Sequence, residues 1–317
     1  MSSTTDTKLL ASVGKELFSY TIQFICFSVL YAIHLLATSI ALKLLSPKPR
    51  STRKFLLLSF MCLLVVIDTL DFLVTLEPLL ILSKRMVLVV PLDDGLLKQS
   101  TAAQNAILPW YEISVWLVTL KLCISDSLVI WRAIAIWDRN HYVKWSLVTL
   151  MTCNGVFNIV QAVLSNLSSV NPVTNEQLGA AAIFTSLATN AAGTASVALK
   201  LWIYWSSVRT ILAQSFESTA MQRLLLLLVE SGAVLFVLQF AMAMLVVVEA
   251  DSQSSYSFQL ATDILDQFFE ETYSLYPVAV VIMINLQSSV IEATVVHSGT
   301  ALESSSKDND VDCARNS

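Results

Sequence analysis

Polar positions are sparse along this chain and fall in clumps, separated by apolar runs of similar length. Windows of about 19 residues place these runs near Tyr20–Leu45, Phe55–Leu76, Tyr111–Trp137, Trp145–Ser165, Ala180–Trp205, Arg223–Val248 and Asp263–Gln287. A helix needs about 20 mostly apolar residues to cross the hydrocarbon core of a bilayer. Inside lipid every backbone N–H and C=O must be satisfied within the chain, so such runs can only be helices. The pattern predicts an all-α, polytopic membrane protein with a polar N-terminal segment over 1–19. Seven transmembrane helices follow over 20–287, then a disordered cytoplasmic tail over 288–317. One stretch of the 77–110 connection fits two descriptions. In PLLILSKRMVLVVP, Pro78 to Pro91, two short apolar runs flank Ser83, Lys84 and Arg85. A loop hairpin or an extension of the second helix would accommodate it.

Composition agrees with the pattern, since 55% of the residues are hydrophobic and 14% charged. Orientation follows from where Lys and Arg collect. One side holds Lys43, Lys48, Arg50, Arg53, Lys54, Arg132, Arg139, Lys144, Lys200, Arg209, Arg223, Lys307 and Arg315. The other holds Lys8, Lys15, Lys84, Arg85 and Lys98. The expectation is therefore an outer N-terminus and an inner C-terminus, the topology of G-protein-coupled receptors, with the plasma membrane as the location. The N-terminal residues are mixed in charge and do not read as a cleaved signal. Cys26, Cys62, Cys123 and Cys153 lie in apolar runs and Cys313 in the tail, so no outer disulfide is expected. Asn166 opens an outer Asn-Leu-Ser sequon and is a glycosylation candidate.

The informative residues are the charges inside the spans, because an ionisable group near the bilayer centre costs at least about 2.5–3.5 kcal/mol and needs a partner or water. Counting about 1.5 Å per residue from the inner end of each helix puts Lys121, Asp68, Asp71, Glu270 and Glu271 in one layer. Asp68 and Asp71 share a helix face, as do Asp263, Asp266 and Glu270. This outer layer reads as helix pairing of Lys121 with Asp68 or Asp71, or as ligand binding beneath an acidic vestibule that includes Asp266 and Glu270. A lower layer holds Asp126, Arg132 and Glu230. Asp126 and Arg132 lie about 240° apart around the helix and cannot pair on one face. Arg132 would reach Glu230 as an inner latch between the third and sixth helices, or anchor at the headgroups with Trp131, Trp137 and Tyr142.

Other signals speak to packing. In the fifth span Thr185, Thr189 and Gly193, and Ala188, Ala192 and Ser196, recur every four residues, which allows close helix approach. Asn154, Asn158, Gln161 and Asn190 are placed to hydrogen-bond across helices, and Pro277 should kink the seventh span. The histidines, His34, His141 and His297, lie far apart in sequence, so no metal site and no cofactor is expected. The last span has no lysine for a retinal Schiff base, and no Gly-Lys-Ser/Thr loop is present to cradle a phosphate. An enzyme is not expected, nor is a nucleic-acid partner.

Two strings carry a resemblance: SDSLVIWRAIAIWDRN, with Asp126, Trp131, Arg132 and Trp137, and VESGAVLFVLQF, with Glu230, Ser231 and Gly232. Together with the YPVAVVIMINL run from Tyr276 they resemble a large family of seven-helix, receptor-like membrane proteins of mushroom-forming fungi. The resemblance covers roughly residues 20–289 and implies a fold and a habitat, not a ligand. The two charge layers, one outer and one inner, lead to the expectation of a receptor-like sensor of a small, cationic ligand at the outer vestibule. Signalling would run through the inner ends of helices three and six to a cytoplasmic protein, a G protein by analogy of layout. The competing expectation is a transporter or channel lined by the intramembrane Lys, Asp and Glu residues. Either way the bilayer itself is the first partner.

Overall fold

The computed structural model describes residues 2–45, 52–88, 96–137, 140–167, 172–211, 220–251, 256–283 and 285. Six α-helices, α1 (Ser2–Leu45), α2 (Thr52–Leu82), α3 (Leu96–Ile136), α4 (His141–Ser165), α5 (Pro172–Ile211) and α6 (Ala220–Asp251), are followed by α7 over 256–283. A π-helical stretch, Ser83–Leu88, prolongs α2. Each of α1 to α6 contains a segment long and apolar enough to cross a membrane. In α7 the apolar run is shortened by Asp263, Asp266, Glu270 and Glu271.

The helices overrun the apolar windows, because hydropathy registers the lipid-facing segment and is blind to helix that continues beyond it. Residues 2–19, expected as a separate polar segment, are the first turns of α1. At about 1.5 Å per residue that helix is some 66 Å long, about twice the hydrocarbon thickness. Between hairpin and extension at Ser83–Arg85, the chain adopts the extension. Arg85 donates to the Ala102 carbonyl at 2.7 Å, and Gln99 donates back to the Arg85 carbonyl, so the end of α2 is tied to the first turns of α3. Pro78 and Pro109 sit inside α2 and α3, and Pro277 inside α7. The expected disordered tail, 288–317, lies outside the described residues, as does Cys313. Cys26, Cys62, Cys123 and Cys153 are free thiols.

Successive helices pack side by side, and α3 is the central one, touching α1, α2, α4 and α5. Its Val129, Ile130 and Ala133 join Leu147 of α4, Val197 of α5, Leu225, Leu228 and Leu235 of α6 and Tyr276 and Val280 of α7 in one core. Val278 and Val281 of α7 pack against Ala41 of α1 and Met61 of α2. At the opposite end, Ser19 and Gln23 of α1 donate to Asp263 of α7 at 3.1 and 3.0 Å. Large apolar side chains meanwhile face outward, among them Ile25, Leu36, Leu73, Val234 and Val237. Such a continuous apolar exterior is intolerable in water and is the surface that lipid tails solvate.

Between helices in lipid there is little hydrophobic drive, so close backbone approach must supply packing energy. Two glycines permit it. A Cβ on Gly193 of α5 would stand 2.7 Å from Val129 Cγ1 of α3, and one on Gly232 of α6 would stand 2.5 Å from Thr194 Oγ1 of α5. Gly155 of α4 faces open space. Replacing Gly193 with valine should destabilise the bundle by about 1–3 kcal/mol through overpacking. Melting in detergent should fall by several degrees, whereas Gly155→Ala should leave it unchanged or raise it; equal effects would refute the close α3–α5 contact.

Candidate functional site

α3 carries both of the buried polar centres. Lys121 and Asp126 are five residues apart, which turns them about 140° around the helix and about 7.5 Å along it. They therefore look into different sets of neighbours. Both are fully buried.

On the Lys121 side, α2 contributes two carboxylates from one face and α7 a third. Lys121 Nζ lies 2.6 Å from Asp71 Oδ2, 3.0 Å from Asp68 Oδ1 and 3.1 Å from Glu271 Oε1. An ammonium has three N–H donors, and three carboxylates meet it here. Ser274 of α7 donates to Asp68 Oδ1 at 2.7 Å. From α1, His34 presents Nδ1 to Asp68 Oδ2, and the Phe27 ring lies 5.5 Å from Lys121 Nζ. Phe27 stacks with Tyr31 and Phe72, and the Tyr31 hydroxyl shares a hydrogen bond with Thr69 at 2.7 Å. The cluster therefore joins α1, α2, α3 and α7.

On the other side of α3, Asp126 is held by neutral donors alone. Asn154 of α4 and Ser186 of α5 donate to its Oδ2, both at 2.7 Å, and Asn190 of α5 donates to its Oδ1 at 2.8 Å. Asn190 also donates to Gln239 Oε1 of α6 at 2.6 Å, and Asn158 to Asn154 Oδ1 at 2.9 Å. This second network joins α3, α4, α5 and α6. Of the amides expected to bond across helices, Asn154 and Asn190 do so, whereas Gln161 donates to Ser165 on its own helix at 3.0 Å.

A pocket of about 320 Å³ opens at the end of the bundle shared by the start of α5 and the end of α4. Its walls include Tyr111, Asn158, Gln161, Phe269 and Tyr273, and the carboxylates Asp266 and Glu270. Glu270 is half-buried and accepts from Gln267 at 3.3 Å. Ser114 also lines the pocket and lies beside Asp71, so the pocket adjoins the lysine cluster. Asp266 and Glu270 thus stand apart from Asp68, Asp71 and Glu271, which contact Lys121 directly.

The lower layer differs from its expected form. Arg132 lies eleven residues after Lys121, about 20° from it around the helix, and so faces α7 as Lys121 does. It donates through Nη2 to the Tyr276 hydroxyl, and its guanidinium lies 5.0 Å from the Tyr276 ring centre. Glu230 is exposed. Among the described residues no Arg132–Glu230 ion pair forms, because Arg132 is turned toward α7. Asp126 belongs to the neutral network and not to a latch. Trp137, expected at the headgroups, donates its indole N–H to the Ser196 carbonyl of α5 at 2.9 Å, with Lys200 5.0 Å from its ring. Asn166 caps the C-terminus of α4 and is part-buried; the Ser168 of its sequon lies outside the described residues.

Hydropathy reading passes over Ser186, Gln239 and Ser274, and considers His34 only as a metal ligand, set aside for its distance in sequence from the other histidines. The available signal was the same as for Lys121: a polar group set in an apolar run must have a partner. No family model matches this chain, and no curated protein matches it.

Two substitutions test the networks. Lys121→Met leaves three buried carboxylates facing each other and should cost about 3–5 kcal/mol. Adding Asp71→Asn should recover part of that loss in detergent melting; strictly additive losses would refute the direct pair. Asp126→Asn keeps the shape but turns an amide donor toward Asn154, Ser186 or Asn190. A loss of about 1–3 kcal/mol is expected, and no loss would refute the carboxylate as a shared acceptor.

Proposed function

We propose that the protein is a receptor-like seven-helix membrane sensor of a small, cationic ligand, with its N-terminus outside and its C-terminus in the cytoplasm. The observation that carries this reading is the pocket of about 320 Å³ whose wall holds the carboxylates Asp266 and Glu270. Aromatic and amide groups, Tyr111, Phe269, Tyr273, Asn158 and Gln161, complete it. A low-dielectric pocket with two carboxylates favours an ammonium, and the rings favour an apolar or π-facing body attached to it. Positive residues concentrate on the connections at the opposite end, which supports the outward orientation of the pocket.

The route from pocket to the inner end would run through α3 and α7. Ser114 and Glu270 sit in the pocket wall, Asp71 and Glu271 adjoin them, and Lys121 joins α3 to α7. Farther along the same two helices Arg132 meets Tyr276, beside the core that includes Leu225 and Leu228 of α6. Signalling through the inner ends of α3 and α6 to a cytoplasmic partner would then depend on the α3–α7 contact and not on an α3–α6 ion pair. The plasma membrane is the location consistent with sensing, and the similarity to receptor-like fungal proteins in the α3 and α6 strings agrees with this reading.

A transporter or channel is the second reading, and the string of buried ionisable groups His34, Asp68, Asp71, Lys121 and Glu271 favours it, since such strings also carry protons. A thermal-shift screen of primary, quaternary and aromatic amines and polyamines addresses the first. At least one should raise the melting temperature of the wild type by mass action, and Asp266→Asn and Glu270→Gln should abolish the shift. Stabilisation that survives both changes would overturn the carboxylate pocket as the site. Accumulation of the same amine inside reconstituted vesicles would move the assignment to transport.

A further inference from the structure

The lysine cluster does not close electrically. Asp68, Asp71 and Glu271 bring three carboxylates to one ammonium, all of them buried. Leaving two negative charges unmatched in a buried site carries a cost of several kcal/mol per ion. The free valences are not scattered. Lys121 engages Asp68 through Oδ1 and Glu271 through Oε1. Glu271 Oε2 is buried with no hydrogen-bond partner and Asp68 Oδ2 points at His34, while the remaining oxygen of the cluster, Asp71 Oδ1, belongs to the carboxylate that adjoins Ser114. His34 is itself fully buried, its Nε2 has no hydrogen-bond partner, and its Nδ1 pairs with Asp68 Oδ2.

The side chains of His34, Asp68 and Glu271 offer one ligand atom each within 4.8 Å of one another. We propose that His34 of α1, Asp68 of α2 and Glu271 of α7 form a binding site for a divalent transition-metal cation, with zinc the best match. One imidazole and two carboxylates offer the nitrogen and oxygen donors that zinc takes, and water would fill the fourth position. The charge arithmetic agrees. A divalent ion bound through a neutral imidazole would, together with Lys121, balance the three carboxylates. Asp68 and Glu271 would each give one oxygen to the lysine and the other to the metal. Asp71 stays with Lys121, and Ser274, donating to Asp68 Oδ1, serves as the outer support that orients a ligating carboxylate. The ion would tie α1 to α2 and α7 directly.

The site is independent of the pocket reading, since it uses neither Asp266 nor Glu270. The test uses the full-length, tag-free protein in detergent, stripped with chelator and then titrated with zinc. About one equivalent should bind and raise the melting temperature. X-ray absorption of the zinc-loaded wild type should report nitrogen and oxygen donors with imidazole scattering and no sulfur. His34→Gln and, separately, Glu271→Gln should each weaken binding by roughly tenfold or more, while Asp266→Asn should leave it intact. Failure of the stripped wild type to take up zinc would overturn the proposal and leave protons as the balancing charge. Sulfur donors in the wild-type spectrum, or equal binding by both variants and the wild type, would overturn it too; the wild-type readings hold even if a variant fails to fold.

Discussion

The bundle depends on how one buried ammonium is satisfied. In lipid, apolar side chains gain nothing by leaving the bilayer for a neighbouring helix, so what holds helices in a particular arrangement is close packing and polar contact. Lys121 cannot stay in that environment alone. Its three donors are matched by carboxylates from α2 and α7, which fixes the rotation of three helices at once. Such an ion cluster contributes less net stability than its Coulomb energy implies, because the charges had to be dehydrated. Its larger effect is specificity: any arrangement that separates Lys121 from Asp71 strands charge in hydrocarbon.

Asp126 solves the same problem differently. Its carboxylate is surrounded by amide and hydroxyl donors from α4 and α5, so the charge is spread over hydrogen bonds without a cation. Charge-assisted bonds of this kind are stronger than neutral ones, yet each donor is neutral and can turn elsewhere. α3 thus has an ionic side toward α1, α2 and α7 and a dipolar side toward α4, α5 and α6. The pocket touches both, through Ser114 and Glu270 on one side and Asn158 on the other.

Much of this was legible before any coordinates. Helix number followed from apolar windows, and the common level of Lys121, Asp68, Asp71 and Glu271 followed from counting residues, because a helix has a constant rise. What counting does not supply is azimuth relative to neighbours. Glu230 lies, by residue count, at a level compatible with Arg132 but on an exposed face of α6, and Tyr276, noted only as the start of an apolar run, takes the guanidinium instead. His34 went unassigned because its partners, Asp68 and Glu271, are distant in the chain and close only after folding. The lengths of α1 and α3 were underestimated for a separate reason: beyond the lipid-facing segment helices continue in polar sequence, where hydropathy carries no signal.

The partners of the buried groups follow one another along the chain. His34 of α1 precedes Asp68 of α2, Asp71 precedes Lys121 of α3, and Asp126 is followed by Asn154 of α4, then by Ser186 and Asn190 of α5 and by Gln239 of α6. During synthesis Asp68, Asp71, Lys121 and Asp126 can therefore each meet a partner on a helix made just before or just after their own. Glu271, Ser274 and Tyr276 must wait, arriving with the last helix to meet Lys121, Asp68 and Arg132. α7, the most acidic of the spans and the least able to remain in lipid by itself, enters a membrane in which its lysine is already waiting.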